Sequence, residues 1–135
     1  MNRKQFLTSM LSLGGAALAS SANAAILDKT AEALIAKAKT DAKHKKRKID
    51  PATTVLLSDI HICGELEHGK PKHHPYNPTC LKLRIAEILS MRPLPANVLV
   101  FGDVAWDYGL EEDYRYAAEL LSELGEAGIK VTLGM

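Results

Sequence analysis

Three short apolar runs alternate along this chain with two amphipathic helical stretches, and that alternation limits the fold more than any other feature. Residues 53–58 (TTVLLS), 98–101 (VLVF) and 129–133 (IKVTL) read as buried strands, each bounded by polar or glycine-containing turns. Between the first two, residues 80–92 place Leu81, Ile85, Ile88 and Leu89 on one helical face, and Pro93 stops the helix. Residues 111–124 place Tyr114, Ala117, Ala118, Leu121 and Leu124 on an inner stripe. Glu111, Glu112 and Asp113 complement the dipole in that helix's first turn, and Gly125 and Gly128 end it. A β-α-β-α-β order with short connections predicts an α/β fold with a parallel sheet and right-handed crossovers. Ligands of such sheets gather beyond the carboxyl ends of the strands, so chemistry is expected at the turns that follow these runs.

Upstream of this body the chain changes character. Residues 25–48 hold eight Lys/Arg against three Asp/Glu, whereas residues 49–135 hold seven against thirteen. The domains read as a signal peptide over 1–24, a basic helical stem or linker over 25–52, and the α/β body over 53–135. Arg3 and Lys4 precede an uncharged apolar stretch of 14 residues from Phe6 to Ala19, and Ala22-Asn23-Ala24 supplies a small-x-small cleavage pattern. About 20 apolar residues are needed to span a bilayer, so this stretch predicts export to the periplasm or outside a bacterial cell, with no transmembrane span. Asn2-Arg3-Lys4-Gln5-Phe6-Leu7 is similar to a twin-arginine signal with Lys4 in place of the second Arg, which leaves that route and general secretion both open. The stem carries Ile26, Leu27, Ala31, Leu34, Ile35 and Ala38 at helical spacing before the basic run His44 to Lys48; this stripe either packs on the body or belongs to a loosely helical stem, and the stem is counted as adding no core. No aromatic residue interleaves the run to stack on bases, so no specific nucleic acid is expected as a partner.

The residues with chemical potential stand at the strand ends. Asp59-Ile60-His61 follows the first strand, and in an extended segment residues i and i+2 point to the same side, where a carboxylate and an imidazole can grip one cation. Gly102-Asp103 follows the second; Asp103 reaches the same region if the strands are neighbours, and its two oxygens can bridge two ions. The conjunction of Asp59 and His61, then Gly102, Asp103 and Gly109 within GDVAWDYG, then Gly134 resembles the calcineurin-like metallophosphoesterase superfamily over about residues 54–135. Met135 stands where that family has a metal-binding Asn.

The resemblance implies a two-sheet sandwich flanked by helices (αββα), of which this chain supplies the N-terminal β-α-β-α-β part. It implies an exported enzyme that hydrolyses phosphate mono- or diesters, in which two divalent ions (Fe, Mn or Zn) lower the pKa of a shared water that attacks phosphorus. Asp59, His61 and Asp103 are the expected metal ligands; no catalytic acid is assigned. Three ligands cannot complete an ion pair, so the chain reads as a fragment that binds at most one ion weakly, folds poorly with one sheet face uncovered, and does not turn over alone. His68, His73 and His74 read first as solvated loop residues, and otherwise as contacts to substrate or a stray metal; the rival is a non-enzymatic exported α/β module that binds metal or a partner through this His-rich loop, and a third reading gives the basic run to membrane or nucleic-acid attachment. Trp106 and Tyr108 either line a substrate mouth or pack the loop on the next helix. Cys63 and Cys80 would meet an oxidising compartment, but their spacing alone establishes no disulfide.

Overall fold

The computed structural model describes residues 21–44, 47–67, 70–74 and 76–134. Most of the expected export signal, His68, Lys45 and Lys46 of the basic run, and Met135 lie outside the described residues. The elements are α1 (Ser21–His44), β1 (Ile49–Ser58), β2 (Leu66–Glu67), β3 (Lys70–Pro71), α2 (Asn77–Ser90), β4 (Leu94–Phe101), α3 (Glu111–Glu126) and β5 (Lys130–Leu133). The strands β1, β4 and β5 form a parallel sheet in the order β1-β4-β5, while β2 and β3 make a small antiparallel pair in the loop after β1. The chain is therefore α/β.

Strand order dictates the layering. Both crossovers, β1-α2-β4 and β4-α3-β5, step across the sheet in the same direction. Two right-handed crossovers that advance in one direction put their helices on the same face. On that face Val98 and Val100 of β4 are wholly buried with Leu81, Ile85, Leu89, Leu121 and Leu124 of the helices. Among the described residues no element covers the opposite face. Leu56, Leu99 and Phe101 fall on it by register, and Leu56 is 58% exposed. The run Val55-Leu56-Leu57, which reads as a strand covered on both sides, is thus buried on one: Val55 and Leu57 pack against the core and Leu56 does not.

Element boundaries differ from the sequence reading for local reasons. β1 starts at Ile49, ahead of the expected Thr53, but its register with β4 slips between Asp50 and Thr54. Pro51 has no N–H to give to a ladder, and Asp50 instead accepts the Ala52 N–H (3.0 Å) and the Thr53 hydroxyl (2.6 Å). α2 starts at Asn77 with Pro78 in its first turn, a position where a missing N–H costs nothing. On α3 the buried stripe is Asp113, Ala117, Leu120, Leu121 and Leu124; Tyr114 and Ala118 face outward.

The largest departure concerns α1. Of the two readings of its stripe, packing on the body holds, and the helix adds core: it is a third layer against α2, with Ala31, Ile35 and Ala38 buried at spacings of four and three residues. Ion pairs fix it at both ends of this stripe. Lys82 of α2 reaches Asp28 (3.0 Å) and Glu32 (3.1 Å), and the Thr79 hydroxyl donates to Asp28 (3.1 Å). Lys39 pairs with Glu123 and, at 2.9 Å, with Glu126 of α3. Burial opposes the charge on Lys82, yet the two carboxylates outweigh it and hold the ammonium above its ordinary value. The helix runs through the expected cleavage pattern at 22–24, but every one of these contacts begins at Asp28 or later.

Candidate metal-binding turns

The ladder between β1 and β4 does not stop where the strands do. The Asp59 N–H donates to Phe101 O (3.0 Å), His61 N–H to Asp103 O (3.1 Å), Ile62 N–H to Val104 O (2.9 Å) and Trp106 N–H back to Ile62 O (3.0 Å). Ile62, wholly buried, anchors this extension in the core. The turns bearing Asp59-Ile60-His61 and Gly102-Asp103 are laced to each other, as neighbouring strands require.

The lacing is not achieved by extended backbone. Asp59 (φ 52°) and His61 (φ 44°) both occupy the left-handed region, as do His74 (φ 45°) and Asp107 (φ 50°) in the adjoining loops. The argument that residues i and i+2 share a side of a strand therefore does not apply here. Asp59 and His61 nonetheless line one cleft, because the chain turns at each of them. A left-handed non-glycine residue costs on the order of 1 kcal/mol or more, and such strain collects where surroundings over-determine the backbone. Gly102 (φ 69°) shows how tight the turn is: a Cβ there would overlap the Asp59 carboxylate.

Asp113 holds this arrangement from behind. Only 2% exposed, its carboxylate accepts the Gly64 N–H (2.6 Å) and the Leu110 N–H (3.0 Å). The first bond pins the segment after His61 to the start of α3, and the second closes the turn after the Asp103 loop. Gly64 lies so close to the Glu112 carbonyl that a Cβ would overlap it. From the other side, the Asn77 side-chain amide donates to His61 O (2.9 Å). Sequence reasoning gave Asp113 only a dipole role and did not single out Asn77. The available signal for Asp113 was an acid on the buried stripe, four residues before Ala117.

Trp106 sits among the imidazoles. Its ring lies 3.9 Å from that of His74, 6.1 Å edge-on from His61 and 6.3 Å from His73, measured between centroids. Tyr108, at 89% exposed, packs on nothing comparable. Cys63 is buried and Cys80 exposed, each a free thiol. A cleft of about 650 Å³ opens beside the turns, with Asp59 and His61 on one wall and Asn77, Cys80 and Arg84 of α2 on the other.

The three expected ligands are brought together unevenly. Asp59 and His61 share the cleft, and Asp103 joins them through its backbone while its side chain is exposed. Among the described residues, no group of three or more His, Cys, Asp or Glu side chains has a metal-holding arrangement. The set fits a hard or borderline divalent ion in donor type, two carboxylates and an imidazole, and does not yet close on one. Comparison with family models, with curated proteins and with solved structures finds no match.

Proposed function

We propose that this chain carries the first metal-binding motifs of an exported, metal-dependent phosphoesterase, with Asp59, His61 and Asp103 as ligands. One observation carries the reading: the turns after β1 and β4 are hydrogen-bonded to each other residue by residue, with Gly102 giving way to the Asp59 carboxylate. Asp59 and His61 take left-handed backbone although neither is glycine, as expected where side chains are required at those points, while the facing Gly102 takes it without strain. When bound, divalent ions would lower the pKa of a coordinated water and offset phosphate charge. The protein's own part is positional. Asn77 and the Asp103 carbonyl fix the His61 backbone, and Asp113 fixes the loop beyond it.

Three donors are too few for a pair of ions, so on this reading the described residues bind one ion weakly and hydrolyse little by themselves. Export is compatible with the packing, since removal of residues 1–24 leaves Asp28, Ala31, Ile35 and Lys39 in place. The experiment is a calorimetric titration with Zn²⁺ or Mn²⁺ beside an aryl phosphate hydrolysis assay. One weak site is expected, weakened about tenfold or more in Asp103→Asn, a loss of about 1.4 kcal/mol or more. Unchanged binding in that variant would overturn the site. The second reading, a non-enzymatic metal- or partner-binding module, draws on the packing of His73 and His74 around Trp106. It requires that metal affinity reside in those imidazoles and be indifferent to Asp103.

A further inference from the structure

Folding sorts the charges of α1. By sequence, residues 25–40 hold three Lys against Asp28 and Glu32, a nearly neutral stretch. In the fold both acids turn to Lys82, and Lys39 turns to Glu123 and Glu126. Lys29 and Lys37 are left exposed and, among the described residues, without a carboxylate partner. They stand about 12 Å apart along the axis at 1.5 Å per residue. Ile26 (63% exposed) precedes Lys29 by three residues and Leu34 (45% exposed) precedes Lys37 by three, so each cation has an exposed apolar neighbour on the helix surface. Leu34 also opens a groove toward α2, floored by Ala38, Leu83 and Ala86, with Lys37 and Arg92 among its polar lining. Ser90 and Glu87 complete that lining, and the Glu87 carboxylate is held by Arg84 (2.6 Å). Arg92 donates from Nη1 to the Leu89 and Met91 carbonyls (3.0 and 2.7 Å), which keeps its charge at this end of α2. Beyond the groove the chain passes through residues 41–48, five Lys/Arg against one Asp, to Lys48, whose carbonyl accepts the Leu94 N–H. Lys48 and Arg92 therefore stand where β1 and β4 begin, and the Asp59 and Asp103 turns where they end, about 26 Å away along the eight residues of β4.

We infer that the outer face of α1, with its groove toward α2, docks on an anionic phospholipid surface. Lys29, Lys37 and Arg92 meet the lipid phosphates, and Ile26 and Leu34 enter the boundary between headgroups and acyl chains. Charge complementarity selects this partner. Cations beside exposed apolar side chains, on a helix whose acids Asp28 and Glu32 face inward, match a surface that is anionic above and apolar beneath. A nucleic acid matches less well, since no Phe, Tyr or Trp lies between Ser21 and Lys48 to stack on a base, and Ile26 and Leu34 would gain nothing from phosphates. Docking through this face is independent of whether the Asp59 and Asp103 turns hold a metal.

The test reads the contact residue by residue, so that any contact made by residues 1–24 is told apart from that of α1. The full chain, ¹³C-labelled at Ile, Leu and Val methyls, is mixed with bicelles that carry a nitroxide-headgroup lipid and are made of phosphatidylcholine with or without phosphatidylglycerol. With phosphatidylglycerol, the Ile26, Leu34 and Leu83 methyls should broaden at least about fivefold more than with phosphatidylcholine alone. Leu66 and Leu110, exposed elsewhere on the molecule, should stay sharp. Raising salt from about 0.05 to 0.5 M should remove the difference. The double variant Lys29→Glu, Lys37→Glu should lose the broadening at Leu34 and Leu83, while unchanged Val98 and Val100 methyl shifts show it folded. Lys130→Glu, exposed on β5, should behave as the unaltered chain. The proposal is overturned if Leu34 and Leu83 stay sharp with phosphatidylglycerol, if phosphatidylcholine alone broadens them equally, or if the double variant keeps the broadening. A single-stranded oligonucleotide that displaces the bicelles at equal phosphate concentration would assign the face to nucleic acid and overturn it as well.

Discussion

Replacement of Asp113 by Ala removes a side chain that ties the segment after His61 to the turn before α3, and its cost follows from the hydrogen bonds. The carboxylate accepts two backbone N–H groups, Gly64 at 2.6 Å and Leu110 at 3.0 Å, from a site 2% exposed. A hydrogen bond to a charged group contributes about 1.5–3 kcal/mol, and an amide left buried without a partner loses a similar amount. Two such bonds set an upper range near 6 kcal/mol. Desolvation of the buried carboxylate, which Ala no longer suffers, and entry of water into the vacated space reduce it. The expected net loss is about 3 kcal/mol, with Asp113→Asn losing less, since its amide oxygen still accepts one N–H while its NH₂ faces the other. Urea unfolding followed by circular dichroism should show the midpoint falling at constant slope, and hydrogen exchange at the Gly64 and Leu110 amides should accelerate more than in the β4 core. A loss below about 0.5 kcal/mol, or unchanged protection at Gly64, would refute the claim that Asp113 organises these turns.

Other consequences can be measured on the same preparation. Gly102→Ala meets both a left-handed backbone and the Asp59 carboxylate, so it should cost about 2 kcal/mol and weaken metal binding in calorimetry. Ile35→Ala empties a buried position between α1 and α2 and should cost about 2 kcal/mol in urea unfolding, whereas a non-packing stem would show no change. Lys39 and Lys82 have pKa values raised above 10.5 by their carboxylate partners, burial opposing this at Lys82, and burial raises Tyr116 above 10.0. Because each folded-state value exceeds the unfolded one, the stabilisation is full below about pH 10 and is lost as pH rises through the folded values. Urea midpoints should therefore fall above about pH 10, less steeply in Lys82→Met.

The backbone order was legible because its signals are local. Apolar runs and helical stripes located β1, α2, β4, α3 and β5, with errors of a few residues at the ends. Adjacency of the Asp59–His61 and Gly102–Asp103 turns also followed, since it depends only on β1 and β4 being parallel neighbours. What was hidden depends on tertiary partners. The charges of α1 read as a solvated stem, because Asp28 and Lys39 find Lys82 and Glu123 54 and 84 positions away. Asp113 read as a first-turn acid because its partner Gly64 is 49 residues distant. Left-handed Asp59 and His61 carry no sequence mark, as glycine would. The open sheet face was legible only in part, for Leu56 has the same neighbours in sequence whichever side is covered.

Trp106 is the only tryptophan, and its ring lies 6.1 Å from His61. A Co²⁺ ion held by Asp59, His61 and Asp103 should therefore quench its fluorescence. The account predicts saturable quenching that is lost in His61→Ala and in Asp103→Asn and retained in His74→Ala. Quenching that survives both of the first two variants and disappears when His73 or His74 is replaced would contradict it, and would assign the metal to the loop instead.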